Sequence, residues 1–144
     1  MKGITMTLRN WMFVLVGLVS LGLFACSEET VDNIGRDTSL NVLRTGTWKT
    51  WTVKVEGSDD PDLNITTQML AEGETLNFDK DGAWHKKSDG ADKYIYSMPE
   101  SKVLVFDGVE YNIEENLVGS VTKLTMVNIQ GPVTTTMIIK RGAE

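Results

Sequence analysis

The segment Glu74-Thr75-Leu76-Asn77-Phe78-Asp79-Lys80-Asp81-Gly82-Ala83-Trp84-His85-Lys86-Lys87-Ser88 decides the fold. Leu76 and Phe78 alternate with polar neighbours, the period-two pattern of a strand with one face buried. Asp81-Gly82 follows, and a primed hairpin turn favours this pair because its central residues need positive φ. The reading is two short strands, 74–79 and 83–88, folded back on each other. The same residues imitate the first half of an EF-hand loop, with Asn77, Asp79, Asp81 and Gly82 in place. Its twelfth position falls on Ser88, where a bidentate glutamate is required, and Phe78 would be pulled from the core. The hairpin reading stands, and no metal is expected.

Outward from this hairpin the pattern repeats. Gly73, Gly82, Gly90, Pro99, Gly108, Gly119 and Gly131 fall 8 to 12 residues apart. Between them lie runs rich in Thr, Val, Ile, Tyr and Trp, which suit a pleated, half-buried surface. Regular punctuation of this kind predicts an all-β domain of short antiparallel strands. The expected strands are 47–56, 64–70, 74–79, 83–88, 93–98, 102–106, 109–114, 121–129 and 133–141. Asp107-Gly108 marks a second tight hairpin, and Pro61, Pro99 and Pro132 are assigned to breaks, where no ladder donor is lost. A sequential meander of this length leaves exposed edges unless it closes, so a small barrel of about eight strands is the expected arrangement. Residues 27–38 are polar and acidic and read as a flexible tether. Ser39 is the candidate N-cap of one helical turn ending at Arg44.

The first residues carry a different signal. Lys2 and Arg9 precede an apolar run of 15 residues, Trp11 to Ala25. A membrane-spanning helix needs about 20, whereas a secretory signal core runs about 7–15 behind a basic start. Cys26, the only cysteine, follows directly, so no disulfide is available. Removing residues 1–25 takes Lys2 and Arg9 away, leaving 12 basic against 20 acidic residues, and moves the net charge from −6 to −8. That balance argues against nucleic acid as a partner, because phosphate backbones are bound by basic patches.

Catalysis is not expected. A lone cysteine placed directly behind a signal-like run, serine without a base, and His85 as the sole histidine leave no nucleophile paired with a base. Alternation places His85 outside beside Lys87, as a solvated side chain. One histidine without a thiol does not make a zinc site. Glu114 and Glu115 are adjacent and point to opposite faces of a strand, so no paired carboxylates are available for glycoside chemistry. No Gly-rich phosphate loop is present, and no cofactor is expected. The aromatic residues are the remaining lead. Trp84, Tyr94, Tyr96 and Tyr111 are candidates to line a cup that holds a small apolar or amphipathic ligand. This ligand-binding module is the first reading; the alternative is a barrel filled by its own side chains. It would then act as an inhibitor or accessory subunit, touching a protein partner through loops 57–63 and 87–93.

Two resemblances add to this. Leu23-Phe24-Ala25-Cys26 resembles the lipobox of bacterial lipoproteins, with Phe24 bulkier than usual at its position. The resemblance implies cleavage before Cys26 and acylation of its thiol, giving domains 1–25 (signal), 26–43 (anchor and tether) and 44–144 (barrel). Ser27 in place of aspartate implies the outer membrane, and Ser27-Glu28-Glu29 is similar to the acidic tether of surface-exposed lipoproteins. The chain from residue 44 to 141 resembles the small lipocalin-like domains of lipoproteins from the Bacteroides group. The residues that carry it are Gly46-Thr47-Trp48, the Leu76-to-Gly82 hairpin and the closing Ile138-Ile139-Lys140-Arg141. It implies that Trp48 plugs one end of the barrel with a basic residue stacked over it, Arg141 first and Lys140 second.

Overall fold

A computed structural model describes residues 27–117 and 121–142. Cys26, the whole signal segment, and the turn at Gly119 lie outside the described residues. No helix among the described residues is long and apolar enough to cross a membrane.

Residues 27–38, expected as a flexible tether, are helical and part of α1, Ser27–Arg44. The apolar stripe was hidden because small residues occupy it. Gly35 and Ser39 fall one turn apart where the helix lies close to Ser101, and a Cβ on Gly35 would come within 3.3 Å of the Ser101 Cβ. Ser39 is therefore inside the helix and not its N-cap. Its hydroxyl donates to Gly35 O at 2.9 Å and to Ser101 O at 2.6 Å. Arg44 in the last turn suits the helix dipole. The chain divides into two units between Ile34 and Gly35.

The unit beginning at Gly35 is antiparallel β, as expected. Its strands are β1 (Thr50–Glu56), β2 (Thr66–Gln68), β3 (Thr75–Phe78), β4 (Ala83–Lys87), β5 (Gly90–Tyr94), β6 (Tyr96–Glu100), β7 (Val103–Phe106), β8 (Val109–Ile113), β9 (Lys123–Gln130) and β10 (Val133–Lys140). They form two sheets instead of one closed ladder. The larger has the order β2-β1-β10-β9-β8-β7-β6 and the smaller the order β3-β4-β5. First and last strands are neighbours, with Thr50 opposite Lys140 and Glu56 opposite Thr134. The sheets meet in two places. Trp48 and Leu76 exchange backbone hydrogen bonds of 2.9 Å. The expected strand 93–98 is broken at Ile95, on either side of which β5 and β6 pair with different neighbours.

The hairpins differ in detail. Asp107 and Gly108 have φ of 50° and 81°, as a primed two-residue turn requires. Asp81-Gly82 does not make such a turn. The loop is four residues long, and the Asp79 carboxylate accepts from the N–H groups of Asp81 (2.7 Å) and Gly82 (3.0 Å). The local Asp79 side chain thus does what φ was expected to do. Pro99 lies within β6 and not in a break. It is tolerated because β6 is an edge strand whose register shifts between Ser97 and Glu100.

One core runs through the unit. Trp48, Leu76, Leu104, Leu124, Met126, Met137 and Ile139 are essentially fully buried, with Leu43 of α1 among them. Gly57, which leaves β1, is pressed against the β9–β10 turn. It has φ +81°, and an added Cβ would fall 2.0 Å from Pro132 O. Left-handed backbone costs a non-glycine residue about 1–2 kcal/mol before any clash. Gly57→Ala is expected to lower stability by more than about 2 kcal/mol, read as a lower midpoint in urea unfolding.

Candidate functional site

The end of the unit beneath α1 is built around Trp48. Helix termini leave carbonyl groups without intrahelical partners, and here two of them are taken by side chains. Trp48 Nε1 donates to Leu43 O at 2.9 Å, and an Arg141 guanidinium N–H donates to Val42 O. Arg141 Nε donates to Val121 O at 2.9 Å. Its guanidinium carbon lies 4.0 Å from the Trp48 ring centroid, within cation–π range. Gly46 completes the arrangement. Its φ is +72°, and a Cβ there would come within 3.0 Å of an Arg141 nitrogen. The spacing Gly46-Thr47-Trp48 therefore has a physical reason: the turn out of the helix needs a left-handed residue that also leaves Arg141 room.

Across the interior, aromatic rings touch in a continuous series. Trp51 meets His85 (6.0 Å between centroids), Tyr94 (5.5 Å) and Phe106 (5.7 Å), all close to edge-on. Tyr94 stacks on Phe106 at 5.3 Å. Phe106 approaches Phe78 (6.2 Å), and Phe78 meets Tyr96 (5.1 Å). Of the four residues expected to line a cup, Tyr94, Tyr96 and Tyr111 lie opposite buried Ala83, Phe106 and Leu104 and so face inward, and Trp84 does not. Tyr94 and Tyr96 belong to the ring series, and Tyr111 is buried opposite Leu104. Trp84 is paired across strands with Asn77 and Lys93, on the face opposite buried His85. Lys93 Nζ lies 5.3 Å over the Trp84 ring.

His85 thus faces inward, the reverse of its expected position. The alternation in β4 was assigned the wrong phase because Trp84 is the larger apolar residue. Small Ala83 (0 % exposed) and His85 (7 %) occupy the inner positions where Trp51 leaves little room. His85 Nε2 meets Glu74 Oε2 at 2.6 Å. The same oxygen accepts from the Ala71 N–H at 3.0 Å, so one carboxylate ties the 71–74 turn to β4. The Ala71 N–H, then His85, hold the Glu74 carboxyl below its ordinary value of 4.5. Its stabilising contribution is therefore full above about pH 4.5 and lost as pH falls through the lowered folded value. Glu74→Gln is expected to flatten the acid side of the stability–pH curve relative to the unsubstituted chain, measured as Tm between neutral pH and acid.

Two grooves open on the outer surface beside this turn. One of about 650 Å³ runs between Lys49 and Thr50 on one side and residues 70–75 on the other, with Glu74 in its wall. The second, about 310 Å³, shares Thr50 and Gln68 with the first and continues over Thr52, Lys123, Ile138 and Lys140. Among the described residues, no group of three or more His, Cys, Asp or Glu side chains is arranged to hold a metal ion. The described residues define an antiparallel β-module of two sheets, with the last turn of a helix packed on its core and aromatic side chains in contact across it. No family model, curated protein or solved structure matches the chain.

Proposed function

We propose that this chain is a lipid-anchored, lipocalin-like β-module that acts through its outer surface as an inhibitor or accessory subunit, not by holding a ligand inside. The observation that carries this is the ring series from His85 through Trp51, Tyr94, Phe106 and Phe78 to Tyr96. It occupies the space an apolar guest would take. The strand order supports a barrel of eight strands, with β2 and β3 counted as one interrupted strand and β5 and β6 as another. The Trp48–Leu76 pair and Ile95 carry the two sheets past those interruptions. Lys2, Arg9, the apolar run to Ala25 and Cys26 support an acyl anchor, and Ser27 in place of aspartate supports the outer membrane. Two or three chains anchor stably where one is marginal.

A ligand-holding module, with Tyr94, Tyr96 and Tyr111 on its walls, is favoured by one observation. Trp51 Nε1 is buried with no hydrogen-bond partner, a donor that a guest's acceptor would satisfy. Native mass spectrometry of the chain purified from its own host separates the two readings. The surface-acting reading expects the mass of a chain starting at acylated Cys26 and nothing more. A reproducible small-molecule adduct would overturn it in favour of the ligand-holding reading.

A further inference from the structure

We infer that the end of the module opposite Trp48 docks a basic segment of a partner protein and seats one apolar side chain of that segment. Neighbouring strands are antiparallel, so the turns alternate between two ends. Thr134 lies opposite Glu56, Val133 opposite Gln130, Gly90 opposite Lys87 and Val109 opposite Phe106. The turns 57–65, 88–89, 107–108 and 131–132 therefore gather at the end away from the Trp48–Leu76 pair. Gly57, pressed against Pro132 O, ties two of them together.

The apolar part comes from inward positions left partly uncovered. Side chains two apart on a strand share a face. Val53 and Val55 thus follow buried Trp51 toward this end, and Val133 shares the face of buried Met137. Val109 lies opposite buried Phe106. All four valines are only half-buried, whereas Trp48 at the other end is fully covered. Leu63 and Ile65, in the loop that follows β1, are 56 % and 53 % exposed. The Ile65 carbonyl accepts from the Val55 N–H. Their loop is braced across its neck. The Ser58 N–H donates to Asn64 Oδ1 at 2.8 Å, and Asn64 Nδ2 donates to Ser58 O at 3.0 Å. Apolar side chains on a loop already held in shape cost little further ordering when a partner covers them.

Charge decides the occupant. Asp59, Asp60, Asp62, Asp89 and Asp107 lie in these turns, all exposed, and the turns contain no lysine or arginine. Lys54 and Lys87, on strands that lead to them, are each matched with a carboxylate, Glu56 at 2.8 Å and Asp92 at 2.5 Å. An acidic rim of this kind repels nucleic acid and anionic lipid and attracts a cationic polypeptide. An apolar centre inside a polar rim is also the layout of protein interfaces.

The inference rests on the surface-acting reading and names the chemistry of the partner. A mass-spectrometric adduct would remove that reading, whereas a failed titration with a clean mass would remove this inference alone. The end-capped peptide Lys-Lys-Phe-Lys-Lys is titrated into the ¹⁵N-labelled mature chain in neutral detergent. The expected result is saturable amide shifts at Val53, Val55, Leu63, Ile65, Val109 and Val133. Lys-Lys-Ala-Lys-Lys should bind about tenfold more weakly, having lost the side chain that is seated. Glu-Glu-Phe-Glu-Glu should not bind. The triple substitution D59N/D89N/D107N should weaken the phenylalanine peptide about tenfold; asparagine tolerates the positive φ of Asp107. Leu63→Ser combined with Ile65→Thr, both at exposed positions, should erase the advantage of phenylalanine over alanine and leave Tm unchanged. Shifts that never saturate, equal binding of the alanine or glutamate peptide, or indifference to both variants overturn the inference. Shifts at the same amides that grow with chain concentration in the absence of peptide would give this end to a second copy and overturn it as well.

Discussion

Trp48→Ala abolishes the cooperative unfolding transition or moves it to much lower urea. Removing a fully buried tryptophan costs about 3–5 kcal/mol in lost transfer and residual cavity. Here the loss is compounded. The indole N–H no longer satisfies Leu43 O, and Arg141 loses the ring beneath its guanidinium. The Val42 and Leu43 carbonyls at the end of α1 are then left with a weaker cap, so the helix and the sheets lose their common seat. Against a total stability of about 5–15 kcal/mol for a domain, that is a large part of what holds the unit together. Arg141→Met, which keeps bulk but removes the donors and the charge, should cost less than Trp48→Ala. An unchanged urea midpoint in Trp48→Ala would mean that this end of the module is not its structural base.

Phe106→Ala gives the second large effect, a loss of about 3–5 kcal/mol, together with a new property. Phe106 touches Trp51, Phe78 and Tyr94, so its removal opens the centre of the ring series. Apolar cavities of this kind stay dry and take up benzene or xenon. The substituted chain should therefore be stabilised by benzene, seen as a rise in Tm that the original chain does not show. A benzene-dependent rise of equal size in both chains would indicate a cavity present from the start.

Much of the β architecture was legible because its signals are local. Alternation at Leu76/Phe78 and at Leu124/Met126, Gly and Pro punctuation, and Asp107-Gly108 each depend on a few neighbouring residues. What was missed depended on packing partners far along the chain. The helical nature of 27–44 was masked because Gly35 and Ser39 occupy its buried stripe, and only the closeness of Ser101 explains small residues there. The inward position of His85 follows from Trp51 on another strand, which alternation in Ala83-Trp84-His85-Lys86-Lys87 does not reveal. The glutamate at position 74 carried one available signal, its place at the end of a turn that begins a strand, and its partner could not be found while His85 was assigned to solvent.

Whether the protein's own side chains fill the interior is tested most directly by a crystal of the mature chain pressurised with xenon. No xenon is expected among Trp51, Phe78, Tyr94 and Phe106 in the original chain, and a bound atom is expected there in Phe106→Ala. A well-occupied xenon site at that place in the original chain would contradict it and return the module to the class that holds a ligand inside.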